Sequence, residues 1–169
     1  MKLTLLITSL FLVSITSALA TDSSAPAANF LKVDPGIFRG ARPSAAGGVQ
    51  MLDKMGIKTI IDLEDIPAVV AKEKQAAESA GIRFISYPIV TKATPNSKEV
   101  DSILAALHDN SNQPVYVHCM HGEDRTGLII GLYRTKFDGW SSDKAYAEMI
   151  QNHFHPIYKE LDQYFKSQK

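Results

Sequence analysis

Short runs rich in β-branched residues alternate along the chain with longer segments whose apolar positions recur every three or four residues. The first pattern predicts strands and the second predicts helices packed on one face. Phe30 to Val33 and Ile37 to Arg39 flank Asp34-Pro35-Gly36, a hairpin turn. Ala45 to Met55 is predicted helical and ends at Gly56. Lys58-Thr59-Ile60-Ile61-Asp62-Leu63 is a strand. Pro67 suits the first turn of a helix that runs to Ala80, with Gly81 as its stop. Ile82 to Tyr87 is the next strand, and Pro95-Asn96-Ser97 opens a helix through Leu107. Gln113-Pro114 leads into Val115-Tyr116-Val117, an apolar strand with the character of a buried one. Helices follow from about Thr126 to Phe137, Ser142 to Gln151 and Pro156 to Ser167. Strands separated by helices predict an α/β fold, with a mostly parallel central sheet flanked by helices on both faces. Ligands of such sheets bind at the carboxyl ends of the strands.

The first residues follow a different pattern. Lys2 precedes an apolar stretch, Leu3 to Ile15, and Ala18-Leu19-Ala20 has the small-x-small spacing of a signal-peptidase site. The stretch is too short and too rich in Ser and Thr for a membrane span. Residues 1–20 are therefore expected to be a signal peptide cleaved after Ala20, which places the protein in the periplasm or outside the cell with no membrane anchor. Residues 21–28 are expected to be a Ser/Ala/Pro linker and residues 29–169 a single domain. Lys plus Arg and Asp plus Glu both number 18, and this balance speaks against nucleic-acid binding. The chain has one cysteine, Cys119, which has no partner for an internal disulfide. A lone thiol in an exported protein calls for a chemical role or for burial in the core.

Its neighbours favour the chemical role. The Val115 to Val117 strand runs into His118-Cys119-Met120-His121-Gly122-Glu123-Asp124-Arg125-Thr126-Gly127, and a helix follows. A phosphate monoester is a dianion and needs many donors. A loop over Met120, His121, Gly122, Glu123, Asp124 and Arg125 can turn successive backbone N–H groups inward as a nest. The following helix adds its N-terminal dipole. Arg125 offers a planar fork for two phosphate oxygens, and Gly122 permits the tight curl. The same surroundings favour a thiolate at Cys119, since helix N-termini and cations lower a thiol's pKa from about 8.5 to about 3.5–7.5. A thiolate attacks phosphorus to give a phosphocysteine. His118 is expected to hold the loop's shape, and Thr126 to donate its hydroxyl to the sulfur. Arg39, Arg42 and Lys92 are candidate substrate contacts at the pocket mouth.

This signature resembles the His-Cys-x5-Arg-Thr/Ser loop of the protein tyrosine phosphatase superfamily, and most closely its small dual-specificity-like members. Phe38-Arg39-Gly40-Ala41-Arg42-Pro43-Ser44, Gly56 to Leu63 and the ending His155-Pro156 through Phe165 resemble the bacterial and fungal branch of that group. That branch includes enzymes acting on inositol polyphosphates and pyrophosphates and, among secreted bacterial members, tyrosine-phosphatase-like phytases. The resemblance implies a two-step phosphocysteine mechanism without metal or cofactor. It points to an inositol polyphosphate as substrate, with phosphotyrosine in a protein as the alternative. It also implies a general-acid Asp after the strand that precedes the signature strand. Here that segment, Tyr87 to Asn96, holds no Asp or Glu. Asp124 is the first candidate to replace it and Asp65 the second. The rival readings are a zinc site built from His118, Cys119, His121, His153 and His155, a rhodanese-type sulfurtransferase, and a phosphate-binding module without turnover.

Overall fold

The computed structural model describes residues 25–45 and 47–168; the expected signal peptide, its cleavage site and residues 21–24 of the expected linker lie outside them. Five strands form one sheet in the order β1-β2-β5-β3-β4. They are β1 (Leu31–Asp34), β2 (Ile37–Ala41), β3 (Thr59–Asp62), β4 (Arg83–Ser86) and β5 (Val115–Cys119). Only the β1–β2 hairpin is antiparallel; β2, β5, β3 and β4 run parallel. The mostly parallel α/β sheet expected from the sequence is thus borne out.

Side chains that alternate along β5 divide the interior in two. Tyr116 packs with Phe38, Ile60 and Phe84 on one face, against Val49 and Leu52 of α1 (Gly48–Lys54) and Ala77 of α2 (Pro67–Ser79). Val115, Val117 and Cys119 pack with Ile37, Ile61 and Leu63 on the other face. There they meet α3 (Ser97–His108), α4 (Asp124–Lys136), α5 (Ser142–Gln151) and α6 (Lys159–Ser167). β5 is buried over its whole length because it lies at the centre of the sheet and is covered on both faces. α4 is buried from Asp124 to Arg134, which explains why it carries no clear amphipathic stripe: α3, α5 and α6 surround it.

The predicted boundaries shift where backbone chemistry intervenes. α1 starts at Gly48 rather than Ala45, because Gly47 is left-handed at φ 95. α6 starts at Lys159, after a turn in which Tyr158 N–H donates to His155 O. α3 begins where expected, because Asn96 accepts from the N–H groups of Lys98 and Glu99. The end of the expected linker is docked rather than free. Pro26 and Ala27 are buried, Ser44 N donates to Pro26 O, and Ala41 N donates to Ala28 O.

At the carboxyl end of β2 the backbone of Gly40 and Ala41 touches the signature loop. A Cβ on Gly122 would sit 2.2 Å from the carbonyl carbon of Gly40, and Gly122 itself lies at φ +74. Gly122→Ala is therefore expected to cost about 2–4 kcal/mol, the sum of left-handed strain and overpacking against unyielding backbone. Urea denaturation of the two proteins measures it, and a loss under about 0.5 kcal/mol would show that the loop moves away freely.

Candidate active site

The signature loop leaves the carboxyl end of β5 and enters α4, and its shape is imposed from outside. Four successive carbonyls are each taken by a donor. Arg42 N–H donates to Met120 O at 3.3 Å. Asn29 Nδ2 donates to His121 O at 2.9 Å. Arg39 Nη2 donates to Gly122 O at 2.6 Å. Gly127 N–H donates to Glu123 O at 2.7 Å. In a trans peptide the N–H points opposite to the C=O of the same unit. The N–H groups of His121, Gly122, Glu123 and Asp124 therefore face the other way, into the hollow of the loop. None of them has an acceptor among the described residues. Together with the first turn of α4 they form an anion nest.

Cys119 sits at the base of this loop, 3% exposed, with its side chain on the α4 face of the sheet. His118 points to the opposite face and is fully buried. Its Nδ1 lies 3.4 Å from Cys119 O. Its Nε2 lies 2.8 Å from Glu73 Oε1 of α2 and 4.0 Å from Asp62 Oδ1. The Glu73 contact is close but poorly aimed, and by angle neither atom counts as hydrogen-bonded, so it is an ionic contact more than a directed bond. Burial pulls the imidazole pKa down. Glu73, Asp62 and Cys119 outweigh that and leave it above its ordinary value. Burial likewise pushes the Asp62 carboxyl up, to about 6.

Arg125, 8% exposed, is anchored by one nitrogen. Nη1 donates to Asp65 Oδ1 at 2.9 Å, Leu63 O at 3.2 Å and Ile89 O at 3.4 Å. Nε and Nη2 have no acceptor among the described residues, so the fork keeps two donors for a ligand. The two expected acids stand differently. Asp124 Oδ1 accepts from the His155 backbone N–H at 2.8 Å and lies 3.0 Å from its Nδ1, tying α4 to the α5–α6 turn. Asp65 stands on the loop after β3 with its side chain 36% exposed and its carboxylate against Arg125. Thr126 is fully buried, and its Oγ1 has no partner among the described residues, the sulfur of Cys119 included.

The mouth differs from expectation. Arg39 is not at the mouth as expected: it is buried beneath the loop with Nη2 committed to the Gly122 carbonyl, because the register of β2 with β5 turns it inward beside Val117. Arg42 reaches the mouth, but both arms of its fork are taken by the buried carboxylate of Glu64, with Nε to Oε1 at 2.6 Å. Lys92 is exposed, as is His121. The ligands of the rival zinc reading are not gathered. His118 faces Glu73 and His155 faces Asp124, and among the described residues no ligand-capable group within 4.8 Å joins Cys119 to a histidine.

Sequence reading missed Asn29, Glu64 and Glu73. Asn29 left no signal, lying beside a linker-like run. Glu73 did: it falls four residues after Val69 and four before Ala77, inside the buried stripe of α2. A carboxylate at such a position needs a partner in the core.

Comparison with known proteins agrees with this geometry. Residues 18–164 match the family described as PTP-NADK, DSP-PTPase phosphatase fused to NAD+ kinase. The dual specificity protein phosphatase TpbA of Pseudomonas aeruginosa is 29% identical over 130 residues, 76% of this chain and 56% of that protein. The inositol diphosphatase DSP4 of Arabidopsis thaliana is 33% identical over 129 residues, 73% of this chain and 63% of that protein. The chain thus spans about three-fifths of the length of these curated relatives. The crystal structure of P. aeruginosa TpbA superimposes with a TM-score of 0.71 at 26% identity, covering 86% of this chain and 88% of that one. By its signature loop, its sheet order and these matches, the chain belongs to the dual-specificity, tyrosine-phosphatase-like family of phosphatases.

Proposed function

We propose that this protein is an exported phosphoric monoester hydrolase that works through a phosphocysteine on Cys119. One observation carries the reading: the loop between Cys119 and Arg125 turns inward a run of N–H groups that have no acceptor among the described residues, and Nε and Nη2 of Arg125 have none there either. In the first step the thiolate forms an S–P bond, the P–O ester bond breaks, and the leaving oxygen takes a proton. In the second, water attacks phosphorus, the S–P bond breaks, and inorganic phosphate leaves with the thiolate restored. The nest and Arg125 hold the equatorial oxygens in both steps. Thr126, with its unpaired hydroxyl at the start of α4, is the donor assigned to the departing sulfur in the second step. Export rests on the sequence of residues 1–20 alone.

The contacts of the two candidate acids favour Asp65 over Asp124. Asp124 is held by His155 as an acceptor, which suits a brace. Asp65 is exposed at the mouth and touches the arginine that grips phosphate, within reach of a leaving oxygen. For the substrate, an inositol polyphosphate is supported by the inositol diphosphatases among the relatives and by exposed His121 and Lys92. Phosphotyrosine in a protein is the second reading, and a specific observation favours it. Arg39 and Arg42 are already committed, while Ile66, Val90 and Met120 stand 45–49% exposed on the loops after β3, β4 and β5. Such a rim suits an aromatic leaving group better than a ring of phosphates.

Cys119→Ser is expected to lose all but a few per cent of phosphate release from an aryl phosphate while still being stabilised by inorganic phosphate in a thermal melt; retained turnover would sink the phosphocysteine reading. Asp65→Asn is expected to slow alkyl phosphates far more than nitrophenyl phosphate, because only the poor leaving group needs the proton. Asp124→Asn should slow both by a similar factor. The opposite pattern in steady-state rates would return the acid role to Asp124. Phosphate release across inositol phosphates and phosphotyrosine peptides decides the substrate. A kcat/KM at least about tenfold higher for one class assigns it, since tenfold corresponds to about 1.4 kcal/mol of transition-state binding.

A further inference from the structure

Arg39 is a buried cation without a carboxylate partner. It is 3% exposed, and no Asp or Glu among the described residues lies within ion-pair distance. Nη2 is used on the Gly122 carbonyl, and Nε is buried with no acceptor. Its fork runs beneath the first turn of α4, where a Cβ on Gly127 would lie 4.0 Å from Nη2. An isolated buried charge is strongly disfavoured, so something nearby must balance it.

The groups facing it are few. From α5 there is Glu148, but Arg134 of α4 already holds it with two bonds, Nε to Oε2 at 3.1 Å and Nη2 to Oε1 at 3.0 Å. Arg134 itself opposes a second cation. From β5 there are Tyr116, whose phenol is buried and donates to Ala41 O, and Cys119. Tyr116 stays neutral, since burial pushes its phenol far above the ordinary range. Burial works against the charge on Arg39, and Glu148 and Cys119 act to restore it. β2 pairs in parallel register with β5, Arg39 opposite Val117 and Ala41 opposite Cys119, so Arg39 and Cys119 stand on the same face. The other charged groups near Cys119 are His118, on the opposite face of the sheet with Glu73 and Asp62 beside it, and Glu123, Asp124 and Arg125 at the start of α4.

We propose that Arg39 is a positioning residue that also acts electrostatically, fixing the signature loop through the Gly122 carbonyl and serving as the buried counter-charge of the Cys119 thiolate. The proposal rests on the phosphocysteine reading and deepens it. The guanidinium turns the Gly122 peptide so that the Glu123 N–H faces the phosphate. Its charge, shielded from water, favours the ionised sulfur before substrate arrives and again when the S–P bond breaks.

Cys119 is the chain's one cysteine, so iodoacetamide labelling followed by intact mass reports on it alone. Arg39→Gln keeps a donor and removes the charge; Arg39→Lys keeps the charge and loses the fork. Arg39→Gln is expected to label several-fold more slowly than wild type at pH 6 and to converge with it above pH 9, its labelling profile displaced toward higher pH. Arg39→Lys is expected to label at close to the wild-type rate at pH 6 yet to turn over an aryl phosphate at least about tenfold more slowly, because the point charge cannot hold the carbonyl. Wild-type labelling of Arg39→Gln at pH 6 overturns the counter-charge role, and wild-type turnover of Arg39→Lys overturns the positioning role. If Arg39→Gln shows no cooperative melt, Arg39→Lys decides alone, and slow labelling of that variant at pH 6 also overturns the counter-charge. Labelling needs no turnover, so a failure of the phosphatase reading, seen as activity in Cys119→Ser, stays separate from a failure here.

Discussion

Four consecutive carbonyls held outward are the constraint on which this site depends. A peptide unit cannot turn its oxygen out without turning the next N–H in, so the nest is made by fixing the back of the loop rather than by building its front. Three of the four donors lie outside the signature: Asn29 before β1, Arg39 within β2 and the Arg42 backbone just after it. This gives the β1–β2 hairpin its purpose. β2 is a neighbour of β5 in the sheet, so its carboxyl end arrives beside Met120 to Gly122. The close approach of Gly40 and Gly122 follows from the same demand, since any side chain between them would hold the two backbones apart.

The buried charges obey a similar logic. His118, Glu73 and Asp62 sit on the α2 face of β5, and Arg39 sits on the α4 face. Cys119 lies between an imidazole held above its ordinary pKa and a guanidinium without a carboxylate. Burial makes each of these groups costly alone, yet water cannot screen them from the sulfur. Carboxylates that would cancel the field are occupied elsewhere: Glu148 by Arg134, Glu64 by Arg42, and Asp124 by the His155 N–H. The core therefore commits Glu148, Glu64 and Asp124 to other partners and leaves Arg39 without a carboxylate among the described residues.

How much of this was legible in the sequence follows from the range of each interaction. β3, β5, α2, α3 and α5 were readable because their signals are local: a β-branched run, Pro67 at a first turn, Asn96 as a cap. Cys119, Arg125 and the nest were readable because one short motif holds them. The helix starts that slipped, at Gly48 and Lys159, depend on a left-handed glycine and a preceding turn that apolar periodicity does not record. Arg39 was placed in the right region with the wrong direction, and the partner of Asp124 was not legible. A strand residue's face is set by register with its neighbour, and that becomes known only when β2 is laid beside β5. For Asp124 the deciding partner is His155, thirty-one residues away.

That difference between where a residue lies and what it faces bears directly on substrate choice. Counting cations near the signature gives Arg39, Arg42, Lys92, His121 and Arg125, enough to suggest a polyanionic ligand. Two of them are removed by their partners, Gly122 O for Arg39 and Glu64 for Arg42. In the proposed mechanism Arg125 serves the reacting phosphoryl group itself. What is left to meet the rest of a substrate includes Lys72 and His121, which line the cavity beside Met120, and exposed Lys92, among apolar side chains such as Ile66, Val90 and Met120. Exposed charges contribute little to binding when water screens them, whereas exposed apolar side chains gain whenever a ligand covers them. A substrate with several phosphates would have to find its additional counter-charges in Lys72, Lys92 and His121, whereas an aromatic leaving group would cover the apolar rim itself.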